Sequence, residues 1–449
     1  MSPAATSLRC TGCGAAPAED EPYPFRCPHA GSGDVDHVLK RILDAGRSVF
    51  PGPGEDDPSP FVRFRRLLHS YHRALAGGLD DAAYVELVRR LDRRVAAVDG
   101  RGFRETPFGR SALLSEALGF DPPGGVWVKD ETRNVAGSHK GRHLMGILLH
   151  LEVAEHIGLV PPGRRPDLAI ASCGNAALAA AVLARASGRP LRVLVPSGAD
   201  ARVLGRLARL GADVVVCERQ PGVPGDPSYS RLLAALEEGA IPFTCQGNLN
   251  GLAIEGGETL AWEIAAAEAR SGEPADHVVV QVGGGALASA VAQGLAEAHA
   301  LGATGSRARL HTVQSAAVHP LERATRKVAA LLPGGARPDD LAQALAAAAG
   351  ERSRYMWPWE GEPESIATGI LDDETYDWLA VVAGMLSTGG GALVVDEARL
   401  RAANELGTAC GLDADPTGTA GIAGLVALLD SGVVRHDERV VVLATGATR

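Results

Sequence analysis

A parallel α/β architecture is predicted for this chain by three observations. Short apolar runs such as Asp167–Ile170, Leu191–Val195 and His277–Val282 lack polar alternation, as strands covered on both faces should. Several are followed at once by Gly, Ser or Pro. Ala-rich stretches of helical length lie between them, over Ala176–Ser187, Ala201–Leu210, Tyr229–Glu238, Gly257–Arg270 and Leu287–Ala300. Further strands are predicted at Val126–Val128, Asp213–Val216, Arg309–Val313 and Arg439–Leu443. In open sheets of this kind ligands gather at the C-terminal strand ends, so the residues just after each strand are where chemistry is sought.

With 449 residues the chain exceeds a single small core, and two or three domains are expected. Hydrophobic residues make up 46% and charged residues 22%, an ordinary balance for a folded soluble protein. A net charge of −10 with no long basic block argues against nucleic acid as a partner. Apolar runs broken by Arg or Gly, and no apolar signal region over Met1–Pro17, lead to the expectation of a cytoplasmic protein without a membrane span. Seven scattered cysteines do not suggest a disulfide framework.

Residues 1–40 carry Cys10 and Cys13, then Cys27 a dozen or so positions later, which is half of a zinc-ribbon spacing. A closed tetrahedral site needs a fourth ligand. His29 is the nearest candidate and His37 the next, while Ala30 stands where a ribbon usually has its last Cys. Residues 41–102 read as a helical segment, with Phe61, Phe64, Leu67 and Leu68 at helical spacing, as are Tyr84, Leu87, Val88 and Leu91. An insertion is expected over 328–361, with two Ala-rich helices and a packed aromatic knot from Tyr355 to Trp359.

Four stretches carry candidate chemistry. After the strand at Val126–Val128, Gly137 and Ser138 mark a turn and a helix N-cap, placing Lys140 in the first helical turn. A lysine there can be an ordinary solvated residue, or an amine that forms a Schiff base with a carbonyl cofactor. Ser172, Cys173, Gly174, Asn175 and Ala176 form a strand end, a small-residue turn and a helix start, suited to a substrate carboxylate. Gly283, Gly284 and Gly285, then Ala286 and Leu287, follow a buried strand. That run fits one phosphate monoester rather than a Walker loop or a dinucleotide fingerprint. Asp415-Pro416-Thr417-Gly418-Thr419 opens a late helix, and its threonines are either caps or hydroxyls aimed at a heterocyclic nitrogen.

Taken in order from Phe103 to Arg449, these stretches resemble the fold-type II pyridoxal-phosphate enzymes, the tryptophan synthase beta superfamily, and within it threonine synthase. Asn134-Val-Ala-Gly-Ser-His-Lys140-Gly-Arg142 is similar to the usual N-P-T-G-S-F-K-D-R, and Glu255 to Ile264 to an E-G-x-x-T-L-x-x-E-I helix. His139 replaces an aromatic residue and Gly141 an aspartate. The resemblance implies two open parallel α/β domains, a large cofactor-binding one from 103–142 and 251–449 and a small mobile one from 143–250. It implies that Lys140 is tethered to pyridoxal 5'-phosphate and that residues 283–287 hold the phosphate. It further implies that Asn175 meets the ring hydroxyl, Ser172–Ala176 the substrate carboxylate, and Thr417 (with Thr419 in reserve) the pyridine nitrogen. A homodimer acting on a small amino acid is expected. The activity implied is elimination or replacement at an α-amino acid with a β or γ leaving group. Serine/threonine dehydration, cysteine-synthase-like β-replacement and a non-catalytic binding role are the alternatives.

Overall fold

The computed structural model describes residues 5–52, 54–161, 163–219, 226–334 and 337–448. In chain order the strands are β1 (Thr6–Cys10), β2 (Leu39–Leu43), β3 (Phe108–Ser111), β4 (Gly125–Asp130), β5 (Leu168–Ala171), β6 (Leu191–Pro196), β7 (Asp213–Cys217), β8 (Ile241–Pro242), β9 (His277–Gln281), β10 (Arg309–Ser315), β11 (Ala392–Val395) and β12 (Arg439–Ala444). They build a six-stranded sheet in the order β11-β10-β9-β12-β4-β3, a four-stranded sheet β7-β6-β5-β8, and the hairpin β1-β2. Every neighbouring pair in the four-stranded sheet is parallel. In the larger sheet only β3 runs antiparallel to its neighbour. Among the described residues no helix is long and apolar enough to cross a membrane.

All seven strands expected from apolar runs form. The other five had weaker signals: β1 and β2 alternate buried and more exposed residues in the ribbon, β3 reads Phe-Gly-Arg-Ser, β8 has two residues, and β11 follows Gly389-Gly390-Gly391 at a sheet edge. The first of the two expected N-terminal helices is interrupted, running as Pro60–Arg63, a 3-10 turn over Arg65–Leu67, and then His69–Ala76. The second is continuous from Asp81 to Asp99; the Asp80 side chain caps it and Gly100 ends it at φ 84°. Among the described residues of 328–361 one α-helix lies wholly inside, Pro338–Gly350, followed by a 3-10 turn over Arg352–Arg354, instead of two Ala-rich helices. The other Ala-rich stretch is the tail of a helix that starts earlier, at Pro320, because proline suits a first helical position. At the lysine helix the cap differs as well. His139 occupies the N-cap position of Lys140–His156, while Ser138 is extended and bridges to Gly446 beyond β12.

The lysine helix is apolar on nearly all sides and lies between the two sheets' helical layers, packing on Leu252–Ser271 and on Asn175–Ser187. Gly256 makes the first of these crossings possible, since a Cβ there would stand 2.1 Å from the Arg142 carbonyl oxygen. Arg142, fully buried, pairs with Glu131 at 2.8 Å and Glu263 at 2.7 Å. Lys129 pairs with Glu263 as well, and Thr106 donates to Glu131. Two cations thus meet two carboxylates across β4, the turn after it and both helices, with hydrogen bonds satisfying the remaining oxygens. Removing one partner strands a buried charge, so Arg142→Met is expected to cost on the order of 3–5 kcal/mol in chemical denaturation, far more than an exposed arginine.

Candidate active site

Lys140 is the first residue of its helix, set between the C-terminal ends of β4 and β12 and the loop that follows β8. Its neighbours are unusually dry. Burial, reinforced by the Lys140 charge, drives the His139 imidazole well below its ordinary pKa and takes His143 to about 3, so both rings are neutral. Burial also raises the Cys245 thiol to about 11, although Lys140 opposes it. His143 is fixed by its Nδ1 contact of 2.8 Å with the Ala253 carbonyl, and His139 stands edge-on to it at 5.6 Å.

The triple glycine sits where the sequence places it, between β9 and the helix Ala286–Ala300, whose N-cap is Gly285 at φ 96°. The segment Gly369–Asp377 lies directly against it. A Cβ on Gly283 would be 2.2 Å from an Asp372 carboxylate oxygen, and one on Gly285 would be 2.8 Å from Thr375. Asp372 is pushed up to about 6 by burial, against the pull of Lys140 and of the Gly284 N–H. A side-chain anion therefore rests in the hollow that was read from the sequence as an anion cup. Asp377, raised to about 7 by burial, accepts from the Gly247 N–H at 3.2 Å, and Tyr376 stacks on Tyr229 of the smaller α/β unit at 6.0 Å.

Across the cleft, Ser172 to Gly174 form the turn between β5 and the helix Asn175–Ser187. Gly174 N–H meets the Ser172 hydroxyl at 3.4 Å, and Cys173 is exposed. The Asn175 amide nitrogen lies 2.9 Å from where a Gly446 Cβ would be, so this turn reaches the strand-end loop after β12. The Thr417 hydroxyl accepts from Gly369 N–H at 3.0 Å, and Thr419 Oγ1 accepts from Asn404 at 3.1 Å. Thr445 was not singled out from the sequence. It is buried at the end of β12, its hydroxyl 2.6 Å from Gln281 Nε2 and its carbonyl 3.4 Å from His139 Nδ1. It thus stands between the lysine and the glycine cup. The signal for it was present: Thr445-Gly446 follows a buried apolar strand, the same grammar that drew attention to Ser172 and Gly283.

In the N-terminal hairpin, Cys10 pairs with Leu39 across β1 and β2. The ligand atoms of Cys10, Cys13, Cys27 and His37 all lie within 4.8 Å of one another. His29 Nδ1 is 3.8 Å from Cys13 Sγ, but it is His37, 3.7 Å from Cys10 Sγ, that completes the quartet. Two thiolates on one tetrahedral zinc stand a little under about 4 Å apart, and Cys13 and Cys27 are separated by 3.5 Å. The hairpin is bound to the body by Arg41, which pairs with Glu255, Glu258 and Glu297, and by Asp36, which accepts from Trp378 Nε1 at 3.1 Å.

The site thus combines a lysine that opens a buried helix with a glycine turn and a small-residue turn, each at a strand end of one of two largely parallel sheets. Residues 101–446 match the family described as pyridoxal-phosphate dependent enzyme, and the chain belongs to that family. Threonine synthases of Methanosarcina acetivorans and Methanocaldococcus jannaschii are each 27% identical to it over 345 residues, spanning 76% of this chain and 74% of theirs. The fold is shared with threonine deaminase isoform 2 from Solanum lycopersicum, with TM-score 0.58 and 18% identity over 83% of this chain and 91% of that one. It is also shared with diaminopropionate ammonia lyase from Escherichia coli, with TM-score 0.58 and 17% identity over 81% and 88%. The residues present suit the cofactor. An Asp372 carboxylate lies against the glycine turn, and Ser138 Oγ, His139 Nε2 and Gln281 Oε1, all in buried residues, have no hydrogen-bond partner among the described residues, which a polar heterocycle would supply.

Proposed function

We propose that this chain carries out elimination or replacement on an α-amino acid bearing a β or γ leaving group, in the manner of threonine synthase. What supports the reading is that Lys140 opens one helix and the 283–287 turn opens another, with Asp372 against that turn feeling the Lys140 charge, while the Ser172–Ala176 turn follows a strand of the second sheet. When bound, pyridoxal phosphate supplies the electron sink at the substrate's Cα. The protein's residues do the rest. Lys140 would hold the cofactor and would carry the α-proton. The N–H groups of Gly283, Gly284, Gly285, Ala286 and Leu287, with the helix dipole behind them, hold the phosphate. The Ser172–Ala176 turn orients the carboxylate, and Asn175 meets the ring hydroxyl.

For the pyridine nitrogen we keep Thr417 as the partner, with Thr445 as a second candidate: each hydroxyl accepts one N–H, from Gly369 and from Gln281 Nε2, and keeps its own proton to donate. Either threonine gives a neutral partner that does not keep the ring protonated, so charge at Cα is passed to a leaving group more readily than stored. Dry surroundings and neutral His139 and His143 limit stray proton transfer from water. The Cys10, Cys13, Cys27 and His37 quartet is proposed to hold structural zinc, and the protein is proposed to work in the cytoplasm as a homodimer.

The purified protein with pyridoxal phosphate is expected to show a visible absorbance band that Lys140→Ala abolishes. O-phosphohomoserine should yield threonine and inorganic phosphate, whereas ammonia and a 2-oxo acid from serine or threonine would replace this reading with a dehydratase. Because Asp372 must leave the cup to admit a phosphate, Asp372→Asn is expected to bind the cofactor on the order of tenfold more tightly in a fluorescence titration of the apoprotein. Metal analysis should find one zinc per chain, kept in His29→Ala and lost in His37→Ala; the opposite pattern would return the fourth ligand to His29.

A further inference from the structure

A second cavity, of about 530 Å³, lies away from the cleft, between the insertion helix Pro338–Gly350 and the helices Ala286–Ala300 and Trp378–Thr388. That volume is in the range of small-molecule sites. Its walls are aliphatic, typified by Leu341, Leu345 and Ala383, and its polar edge carries three cations, Lys40, Arg307 and Arg337, with no carboxylate among its lining residues. The Lys40 side chain, half-buried on β2, makes no hydrogen bond or ion pair among the described residues; the nearby Glu258 and Glu297 are both engaged by Arg41. Burial lowers its pKa, the condition of an ammonium short of a close partner. Among the described residues the Arg307 guanidinium donates to the Ser387 hydroxyl alone, and exposed Arg337 keeps a loose 3.8 Å pair with Asp340.

Charge and shape together ask for one kind of occupant, an aliphatic chain ending in a single anionic group. A cationic or zwitterionic ligand would bring an ammonium to a rim whose nearest acids, Glu258, Glu297 and Asp340, already have arginine partners. The position matters too. The two helices touch where Gly384 meets Ala292, a Cβ at 384 lying 2.6 Å from the alanine methyl. One of them begins at the triple glycine and the other directly after Asp377. Both run from the cofactor site to this cavity.

We propose that the cavity is an effector site for an aliphatic monocarboxylate, seated with its carboxylate at Lys40 and its chain along Leu341, Leu345 and Ala383, and coupled to cofactor retention through the two helices. Calorimetry on the holoenzyme with decanoate, decanol and decyltrimethylammonium, all below micelle formation, tests the site. Decanoate should bind once per chain and at least tenfold more tightly than either analogue. Lys40→Gln should remove that preference while leaving decanol binding and the absorbance band unchanged. Saturating decanoate should change the rate of cofactor release from the wild type severalfold, and not from Lys40→Gln. Equal binding of the three probes, or a Lys40→Gln variant with full preference, would overturn the site. Binding with unaltered cofactor release would overturn the effector role. If Leu345→Glu splits a dimer in sedimentation, the cavity is a self-association face and the proposal falls.

Discussion

The reactive end of this protein depends on a buried ion network two residues beyond its lysine. Arg142 spans Glu131, just after β4, and Glu263, on the helix Leu252–Ser271, while Lys129 balances the second carboxylate. Charges so deep are costly to desolvate, and only their complete mutual satisfaction makes them tolerable. What the network provides is position. It ties the start of the lysine helix to the central sheet and to the helix it crosses, so Lys140 stands at a helix end anchored on both.

Around that anchor the remaining parts arrive by topology. Parallel strands deliver their C-terminal ends to one edge, and β4, β9 and β12 are neighbours in the central sheet. Residues far apart in sequence, Ser138, Gly283 and Thr445, are thereby gathered without any local signal connecting them. The smaller sheet contributes the Ser172–Ala176 turn from the other side, and the Tyr229–Tyr376 stack joins the two sides. Low dielectric then acts on what is enclosed: imidazoles are held neutral, while Asp372 and Asp377 are raised toward neutrality.

Electrostatic economy also describes the N-terminal hairpin. It is no loose appendage, because Arg41 enters a group of three carboxylates on two helices, one of which begins at the glycine cup. A Cys/His quartet beside the start of β2 and a buried guanidinium at its middle make the hairpin a brace against the helices of the larger sheet.

Much of this was legible in one dimension. Buried strands announce themselves as unbroken apolar runs, the glycine triplet as a backbone free to wrap an anion, and Lys140 as a helix-start amine within a known family pattern. Those signals are local, which is why they survive without coordinates. Other features are decided by who meets whom. Nothing near Thr445 in the sequence says that β12 lies between β4 and β9, and therefore that its terminal hydroxyl stands between lysine and cup. Nothing in the ribbon's spacing says that pairing β1 with β2 carries His37, rather than the nearer His29, to the three sulfurs. Chain chemistry determined the catalytic vocabulary of this protein. Only packing, through strand order and the burial of paired charges, determined which of those groups face one another.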